Sequence, residues 1–280
     1  MSSSFFSILE AVNQSSTDDG SNFIDSRRKD AIRTLLANGC YVPIKEDGIS
    51  LIYRHAESQS GPSILISSHI DSLYGYHHHS HWNEFELLGT FDNSISNAML
   101  IDLMKSDKLP PNVFVAFTGD EEDSSRGADE TINHFRHQLP SVYENIELVV
   151  VMDVTAEGYG KFDYTIENFF NENSPLSHSK LRFSSKSAFK LYLQQKIPNH
   201  SNKTLFIPDQ NAGPDESWQY DEHDLNCFSL CLPTKPHSDN EDQDIGSWMH
   251  DDKGILVKTS SIIGYQTALT GLISSINLDL

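Results

Sequence analysis

The chain has 280 residues, 38% of them hydrophobic, which suits one large domain or one domain with a small insertion. Its 20 basic and 40 acidic residues give a net charge of −20, which argues against nucleic acid as a partner because phosphates are bound by lysine and arginine. No run approaches the roughly 18 apolar residues of a membrane helix, and the N-terminus does not resemble a signal peptide. We therefore expect a soluble, cytoplasmic protein with no membrane partner.

Short apolar runs and helical periodicity alternate along the chain. In chain order they predict a helix over 23–38 capped by Gly39, strands over 41–44, 49–53 and 64–68, a helix over 93–105, a strand over 112–117, a helix over 127–137, strands over 146–152 and 162–166, a helix over 187–194, strands over 204–207 and 227–232, and a closing helix over 255–276. Strands that alternate with helices favour a doubly wound α/β fold.

Residues 72–86 form a His-rich segment, with His77, His78, His79 and His81 inside five positions. Because these histidines have no fixed ligand spacing, the preferred interpretation is an exposed loop with incidental metal affinity. The position of this segment between His69 and Asp92 allows a second interpretation, a rim that contacts the substrate. The three cysteines are too few for a disulfide framework, and we expect Cys227 and Cys231 to be buried thiols.

Acidic residues and histidines follow the predicted strands or open a helix. They are His69, Asp71, Asp92, Glu121, Glu122 and Asp153, with His250 late in the chain. The carboxyl ends of parallel strands open onto one crevice, so these side chains converge if the strands share a sheet. Such carboxylates would repel one another unless positive charge lay between them. A pair of divalent metal ions is the simplest candidate.

Several of these residues have two interpretations from the sequence alone. Asp71 points the same way as His69 on an extended strand and could orient it, whereas Asp92 could cap a helix or bridge two metals. Adjacent glutamates project in different directions, so of Glu121 and Glu122 one can bind metal while the other acts as a base. The alternative for this pair is an acidic, solvated loop.

Taken as a set, these segments resemble the di-zinc aminopeptidases of peptidase family M28, in the clan that also holds families M20 and M42. The matching segments are 67–72, 89–93, 117–122 with Gly127-Ala128, 152–155 and 249–250. The short gap from His69 to Asp92 leaves no room for the large insertion of family M42. The resemblance implies a single three-layer α/β/α domain over 1–280, with a mixed, mostly parallel sheet and no large lid or dimerisation insertion.

The same resemblance implies roles for the site residues. The implied ligands of two divalent metal ions are His69, Asp92, Glu122, Asp153 and His250. Asp92 would bridge the metals, Glu121 would be the general base, and Asp71 would orient His69. Zinc is the expected metal, although histidine and carboxylate ligands also suit cobalt or manganese. His223 is an alternative to His250 as the last ligand.

We therefore expect an aminopeptidase that cleaves a peptide or aminoacyl substrate, with Asp120, Asp123 and Glu157 at an acidic rim that holds the α-ammonium group. The alternatives are a carboxypeptidase, a deacylase or a glutaminyl-cyclase-like acyltransferase on the same scaffold, and a non-catalytic metal-binding protein. A carboxypeptidase would need an arginine for the substrate carboxylate. The sequence after His250, Asp251-Asp252-Lys253-Gly254, departs from the family pattern.

Overall fold

The computed structural model describes residues 3–14, 26–58, 60–168, 181–197, 204–207, 215–237 and 249–277. The helices are α1 Ser3–Val12, α2 Ser26–Leu36, α3 Ser94–Lys105, α4 Arg126–Gln138, α5 Pro140–Tyr143, α6 Lys186–Lys196, α7 Ser217–Glu222 and α8 Thr259–Asn277. The strands are β1 Tyr41–Lys45, β2 Leu51–His55, β3 Ser63–His69, β4 His79–His81, β5 Glu86–Gly89, β6 Val113–Thr118, β7 Ile146–Thr155, β8 Tyr164–Glu167, β9 Thr204–Phe206, β10 Cys227–Pro236 and β11 Ile255–Lys258.

The described strands form one mixed sheet in the order β1-β2-β6-β3-β7-β10-β11-β5-β4, with β8 pairing to β10 and β9. The four central strands, β6, β3, β7 and β10, are parallel, and antiparallel strands flank them on both sides. The central strands are buried on both faces, which explains their nearly continuous apolar sequences. The expected α/β fold with a mixed sheet is confirmed.

Side chains of the central strands alternate between two apolar cores, one on each face of the sheet. In β3, Ile64 and Ile66 contact the core that includes α1, α2, α3, α6 and α8. Leu65, between them, contacts the opposite core, which includes α4 and α7. The sheet is therefore the middle of three layers, and the strand ends are left free to carry functional side chains.

Three details differ from the sequence-based expectations. β7 continues to Thr155, so Asp153 lies inside the strand and pairs with Cys231 of β10. Residues 255–258 form β11 instead of starting the last helix, because the β-branched and apolar run finds partners in β5 and β10. At the end of α2 the left-handed residue is Asn38, with φ of 63°, and not Gly39.

The His-rich segment is partly ordered as a hairpin, since β4 pairs antiparallel with β5. Part of the first predicted helix, residues 23–25, lies outside the described residues. Among the helices that the structure describes, none has both the length and the apolar character needed to cross a bilayer.

Candidate metal centre

Five separated segments bring acidic and histidine side chains to one edge of the sheet. β3 ends at His69, which pairs with Thr118 at the end of β6, and β7 next to it carries Asp153. Asp92 lies in the turn between β5 and α3, Glu122 follows β6, and His250 precedes β11. The parallel centre of the sheet thus collects side chains that are up to 181 residues apart, counted from His69 to His250.

Asp92 lies in the middle of the cluster, and each of its oxygens faces a different histidine. Oδ1 is 3.0 Å from His69 Nε2, and Oδ2 is 3.4 Å from His250 Nε2. His69 Nε2 is also 3.4 Å from Asp153 Oδ1, while His250 Nε2 is 3.2 Å from Glu122 Oε2. Asn93 takes the N-cap position of α3, so the helix-cap interpretation of Asp92 is wrong.

The chemistry of this cluster fits a divalent cation. One potential ligand atom each from His69, Asp92 and Glu122 lie within 4.8 Å of one another. Glu122 Oε1 is buried and has no hydrogen-bond partner among the described residues, which leaves a costly unsatisfied oxygen that a cation would satisfy. Imidazole nitrogens combined with carboxylate oxygens are ligands that zinc accepts.

Asp71 touches the cluster from behind and connects two of its members. Its Oδ1 lies 3.5 Å from His69 Nδ1, and its Oδ2 accepts the backbone N–H of Glu122 at 3.1 Å. A carboxylate on the far nitrogen of a ligating histidine fixes the ring orientation and raises its basicity. At 3.5 Å the two atoms are near each other without a hydrogen bond between them, and the orienting role of Asp71 stays a prediction.

Two asparagines that the sequence reasoning did not single out hold the backbone around the cluster. Asn97 Nδ2 donates to the carbonyl of His69 at 2.7 Å, and Asn93 Nδ2 donates to the carbonyl of Met152 at 2.6 Å. Asn93 follows Asp92 directly and Asn97 lies one helical turn later, so both side chains come from the start of α3. In the sequence, these two asparagines are marked only by their spacing of one helical turn. Polar residues on the exposed face of a helix commonly show the same spacing.

The charges of the cluster shift the pKa values of its members in opposite directions. For Asp92, burial opposes ionisation, but hydrogen bonds from His250 and His69 outweigh it and hold the pKa below its usual range. For Asp153, burial dominates and raises the pKa to about 7. For Glu121, burial together with Asp153 and Glu122 raises the pKa well above its ordinary value. Without a cation, the carboxylates therefore cannot all ionise easily.

The His-rich segment touches the loop that carries His250. The Tyr74 hydroxyl donates to the Met249 carbonyl at 2.5 Å, and Asp252 Oδ1 accepts the backbone N–H groups of Gly75 and Tyr76 at 2.8 and 3.1 Å. The unusual sequence after His250 and the unusual segment 72–86 therefore meet in space. Each of these two segments therefore supplies hydrogen-bond partners for the other.

The histidines of this segment either contact other polar groups or lie apart from the cluster at Asp92. His77 Nε2 accepts from Arg28 Nη2 at 2.7 Å, and burial followed by the charge of Arg28 lowers the pKa of His77 to about 4. His78 Nε2 lies 2.9 Å from the Asp252 carbonyl oxygen. Within the described part of the chain, no member of the His-rich segment belongs to a group of three potential metal ligands.

Other residues considered from the sequence lie outside the cluster. His223 Nδ1 is 3.0 Å from Arg136 Nη2, so it does not take the place of His250. The buried Asp120 carboxylate accepts from Arg126 at 2.6 and 2.9 Å, which removes Asp120 from the acidic rim proposed for an ammonium group. The hydrogen bond of Arg136 and the ion pair of Arg126 also occupy two arginines that a carboxypeptidase would need for the substrate carboxylate.

Comparisons with known proteins agree with this fold. Similar solved structures include the TET aminopeptidase of a marine sediment Thaumarchaeota archaeon (12% identity, TM-score 0.67, all of both chains covered), the TET1 peptidase of Pyrococcus horikoshii (13%, 0.62, 96% of this chain and 99% of that one) and an aminopeptidase of Desulfurococcus kamchatkensis (9%, 0.63, 96% and 94%). At these identities the likeness shows a shared fold. No curated protein sequence is significantly similar to the chain.

The family comparison carries more weight, because the model of peptidase family M28 matches residues 50–224. That match contains His69, Asp92, Glu122 and Asp153 and ends before His250, which joins the cluster through the fold. The match covers more than half of the chain, and the protein therefore belongs to peptidase family M28 and is a peptidase.

Proposed function

We propose that this peptidase is a di-metal aminopeptidase that removes residues from the free N-terminus of peptides. The observation that carries the proposal is the position of Asp92, with one carboxylate oxygen toward His69 and the other toward His250. A carboxylate so placed can bridge two cations. His69 and Asp153 would complete one metal site, and Glu122 and His250 the other.

The charge of this ligand set suits two dications, with Zn²⁺ as the expected metal. Asp92, Glu122 and Asp153 contribute three negative charges against four positive ones, so the loaded centre keeps a net charge of about +1. When bound, the two ions would act as Lewis acids on the scissile carbonyl and lower the pKa of water at the site. The imidazoles and carboxylates would hold the ions at the rim of the sheet.

Glu121 is the residue that we propose as general base. It follows β6 next to Glu122, yet it has none of the close contacts to His250 that Glu122 makes. Burial raises the pKa of Glu121 well above its ordinary value in the metal-free chain, and two nearby cations would favour the carboxylate form that can accept a proton. Glu121 would take a proton from the attacking water and pass it to the leaving amine. Asp71 would act indirectly, by orienting His69.

The acidic surroundings of Asp153 support recognition of an α-ammonium group. The charge of Asp215 opposes ionisation of Asp153, and the charges of Asp215 and Glu157 oppose ionisation of Glu167. The charges of these carboxylates therefore act on one side of the site. A positive N-terminus of the substrate would relieve their repulsion, whereas an acetylated N-terminus would not.

The extent of the catalytic unit is a further part of the proposal. We propose that residues 1–280 form one catalytic domain without a large lid or dimerisation insertion. The support is that β1 to β11, from residue 41 to residue 258, belong to a single sheet among the described residues. The 22 residues between His69 and Asp92 are occupied by the His-rich hairpin, counted from the sequence.

The first prediction concerns Glu121→Gln. The amide keeps the size of the side chain but cannot accept a proton, so we expect kcat to fall by about 10²–10⁴-fold while two metal ions stay bound. The measurement is hydrolysis of aminoacyl anilides together with metal content after dialysis. Glu144→Gln, the same change at an exposed acid after α5, is the matched control and should hydrolyse like wild type.

Two results would contradict the assignment. Glu121→Gln with wild-type turnover would exclude Glu121 as the base. Equal turnover of a peptide and its N-acetylated twin would exclude recognition of the free amine and would favour a different amide hydrolase on this scaffold.

A further inference from the structure

A second group of metal-binding side chains lies at the opposite edge of the sheet. Cys40 precedes β1, His55 ends β2, and Asp107 follows α3 on the way to β6. The cysteine sulfur, one ring nitrogen and one carboxylate oxygen lie within 4.8 Å of one another. His55 Nε2 and Asp107 Oδ1 are 3.0 Å apart.

The sheet register separates this group from the candidate metal centre. β2 runs antiparallel to β6, and Arg54 pairs with Phe114 near the amino end of β6. His69 pairs with Thr118 at the carboxyl end of the same strand. Four residues of strand correspond to about 13 Å, so the two groups cannot share one ion.

The hydroxyl of Tyr41 is an independent sign that a ligand belongs here. It is buried and has no hydrogen-bond partner among the described residues. The Tyr41 ring packs edge-on against the His55 ring, with centroids 5.3 Å apart. Buried hydroxyls normally have a partner.

We propose that Cys40, His55 and Asp107 bind one Zn²⁺ ion, or a divalent ion of similar softness. A thiolate, an imidazole and a carboxylate are each accepted zinc ligands, and zinc prefers four ligands in a tetrahedron. Solvent would supply the fourth ligand and give the Tyr41 hydroxyl a partner. Cys40 and Asp107 are exposed and His55 is buried, so the site has both an entry path and an anchored ligand.

Proton movements follow from the present hydrogen bonds. His55 Nδ1 accepts the backbone N–H of Glu57 at 3.1 Å, so the ring proton is on Nε2 and points to Asp107. Coordination through Nε2 moves that proton to Nδ1 and releases the Glu57 N–H to solvent in an exposed turn. The Cys40 thiol loses its proton to water. Binding therefore releases one proton for each ion, and the affinity should increase with pH.

The test is titration of the metal-free full chain with Co²⁺ while the near-ultraviolet absorption is recorded. A thiolate-to-cobalt charge-transfer band reports only this site, because the candidate metal centre has no sulfur ligand. We expect the band to saturate with one thiolate-bound Co²⁺ per chain in wild type and in Cys227→Ser, a matched change of a buried cysteine, in addition to the two Co²⁺ ions that the candidate metal centre would take. It should be absent in Cys40→Ser and should need at least about tenfold more Co²⁺ in Asp107→Asn.

The controls separate this site from the peptidase reaction. Cys40 and Asp107 are exposed, and circular dichroism should show that both variants fold like wild type. Cys40→Ser should keep its hydrolytic activity, because the site is remote from Glu121. Absence of the band in wild type, or a band that persists in Cys40→Ser, would overturn the proposal. A band without any peptidase activity would contradict the proposed function and leave this inference standing.

Discussion

Glu216 is a buried carboxyl group that joins three elements behind the candidate metal centre. It accepts hydrogen bonds from Ser67 Oγ at 2.5 Å and from Thr118 Oγ1 at 2.6 Å. Ser67 lies on β3, two residues before His69, and Thr118 is the last residue of β6. Glu216 directly precedes α7, and its carboxyl group therefore links α7 to both strands. Burial dominates over these bonds and raises the pKa of Glu216 to about 7.

The pH dependence of stability follows from that shift. The ordinary pKa is 4.5, so between pH 4.5 and about 7 the folded chain holds a proton that the unfolded chain has lost. The stabilisation is therefore complete below pH 4.5 and is lost as the pH rises through 7. Glu216→Gln cannot ionise, and its free energy of unfolding relative to wild type should increase from pH 5 to pH 8, by up to about 3 kcal/mol.

Urea denaturation at both pH values, with a chelator present, measures this difference. Glu222→Gln, an exposed acid on α7, serves as the control and should follow wild type. A constant difference between Glu216→Gln and wild type at the two pH values would show that Glu216 is ionised throughout.

At the residue scale, the sequence could predict the members of the cluster and the neighbouring Asp71, but not the more distant residues that support them. His69 and Asp92 stand next to strand and helix boundaries, where a local pattern is readable. Glu216 is 147 positions from His69 and has no local signal, because only the fold brings α7 to the ends of β3 and β6. The prediction that Asp120 lies at the acidic rim was wrong, because its ion pair with Arg126 forms only through the geometry of the turn between β6 and α4.

At the scale of elements, the His-rich segment and the loop at 249–254 act as one clasp around His250. Asp252 supplies the acceptor for two backbone N–H groups, and the Tyr74 hydroxyl supplies a donor to Met249. Within the clasp, the Gly75 backbone lies close to the Asp252 side chain, since a Cβ added at Gly75 would lie 3.1 Å from Asp252 Oδ2. The clasp holds the backbone on both sides of a proposed metal ligand.

Asp252→Ala should loosen that ligand without unfolding the protein. The lost hydrogen bonds are exposed, and water can replace them, so we expect a change in stability of about 1 kcal/mol or less. We expect metal affinity and kcat/KM to fall by about tenfold, as for other residues that support metal ligands. Competition with a chromophoric chelator measures the affinity.

Asp251→Ala is the matched control, because among the described residues the Asp251 side chain contacts Lys253 alone, through its N–H at 2.9 Å and its Nζ at 3.7 Å, and this change should have no effect. Wild-type metal affinity in Asp252→Ala would show that the His-rich segment does not position His250. The sequence could not reveal this clasp, since the two segments are more than 170 residues apart and only the fold brings them together.

At the scale of the whole molecule, the four parallel central strands account for both the α/β class of the fold and the position of the candidate metal centre. Alternating strands and helices predicted the α/β class because the side-chain periodicities of 2 and 3.6 are local. The antiparallel flanks could not be predicted in the same way. β11 was taken for part of a helix, since its short apolar run acquires a strand conformation only by pairing with β5 and β10.

The same topology predicts how metal ions affect the stability of the whole chain. The proposed ligands come from segments on β3, β7 and three loops, and their carboxylates repel one another without a cation. Ions that bind only the folded chain add about 2.7 kcal/mol when their free concentration is 100 times Kd. We therefore expect chelation to lower the Tm in one cooperative transition, and Zn²⁺ to restore it in a concentration-dependent way.

Asp92→Asn should abolish this Zn²⁺-dependent increase in Tm, because the bridging carboxylate loses a charge and one acceptor oxygen. Glu144→Gln, a change of an exposed acid after α5, should keep it. Calorimetry with and without chelator decides the outcome. An unchanged Tm in wild type would contradict the metal centre, and two separate transitions would contradict a single domain. If Asp92→Asn keeps the full increase in Tm, the stabilising ion is bound elsewhere, and the site at Cys40 becomes the first place to examine.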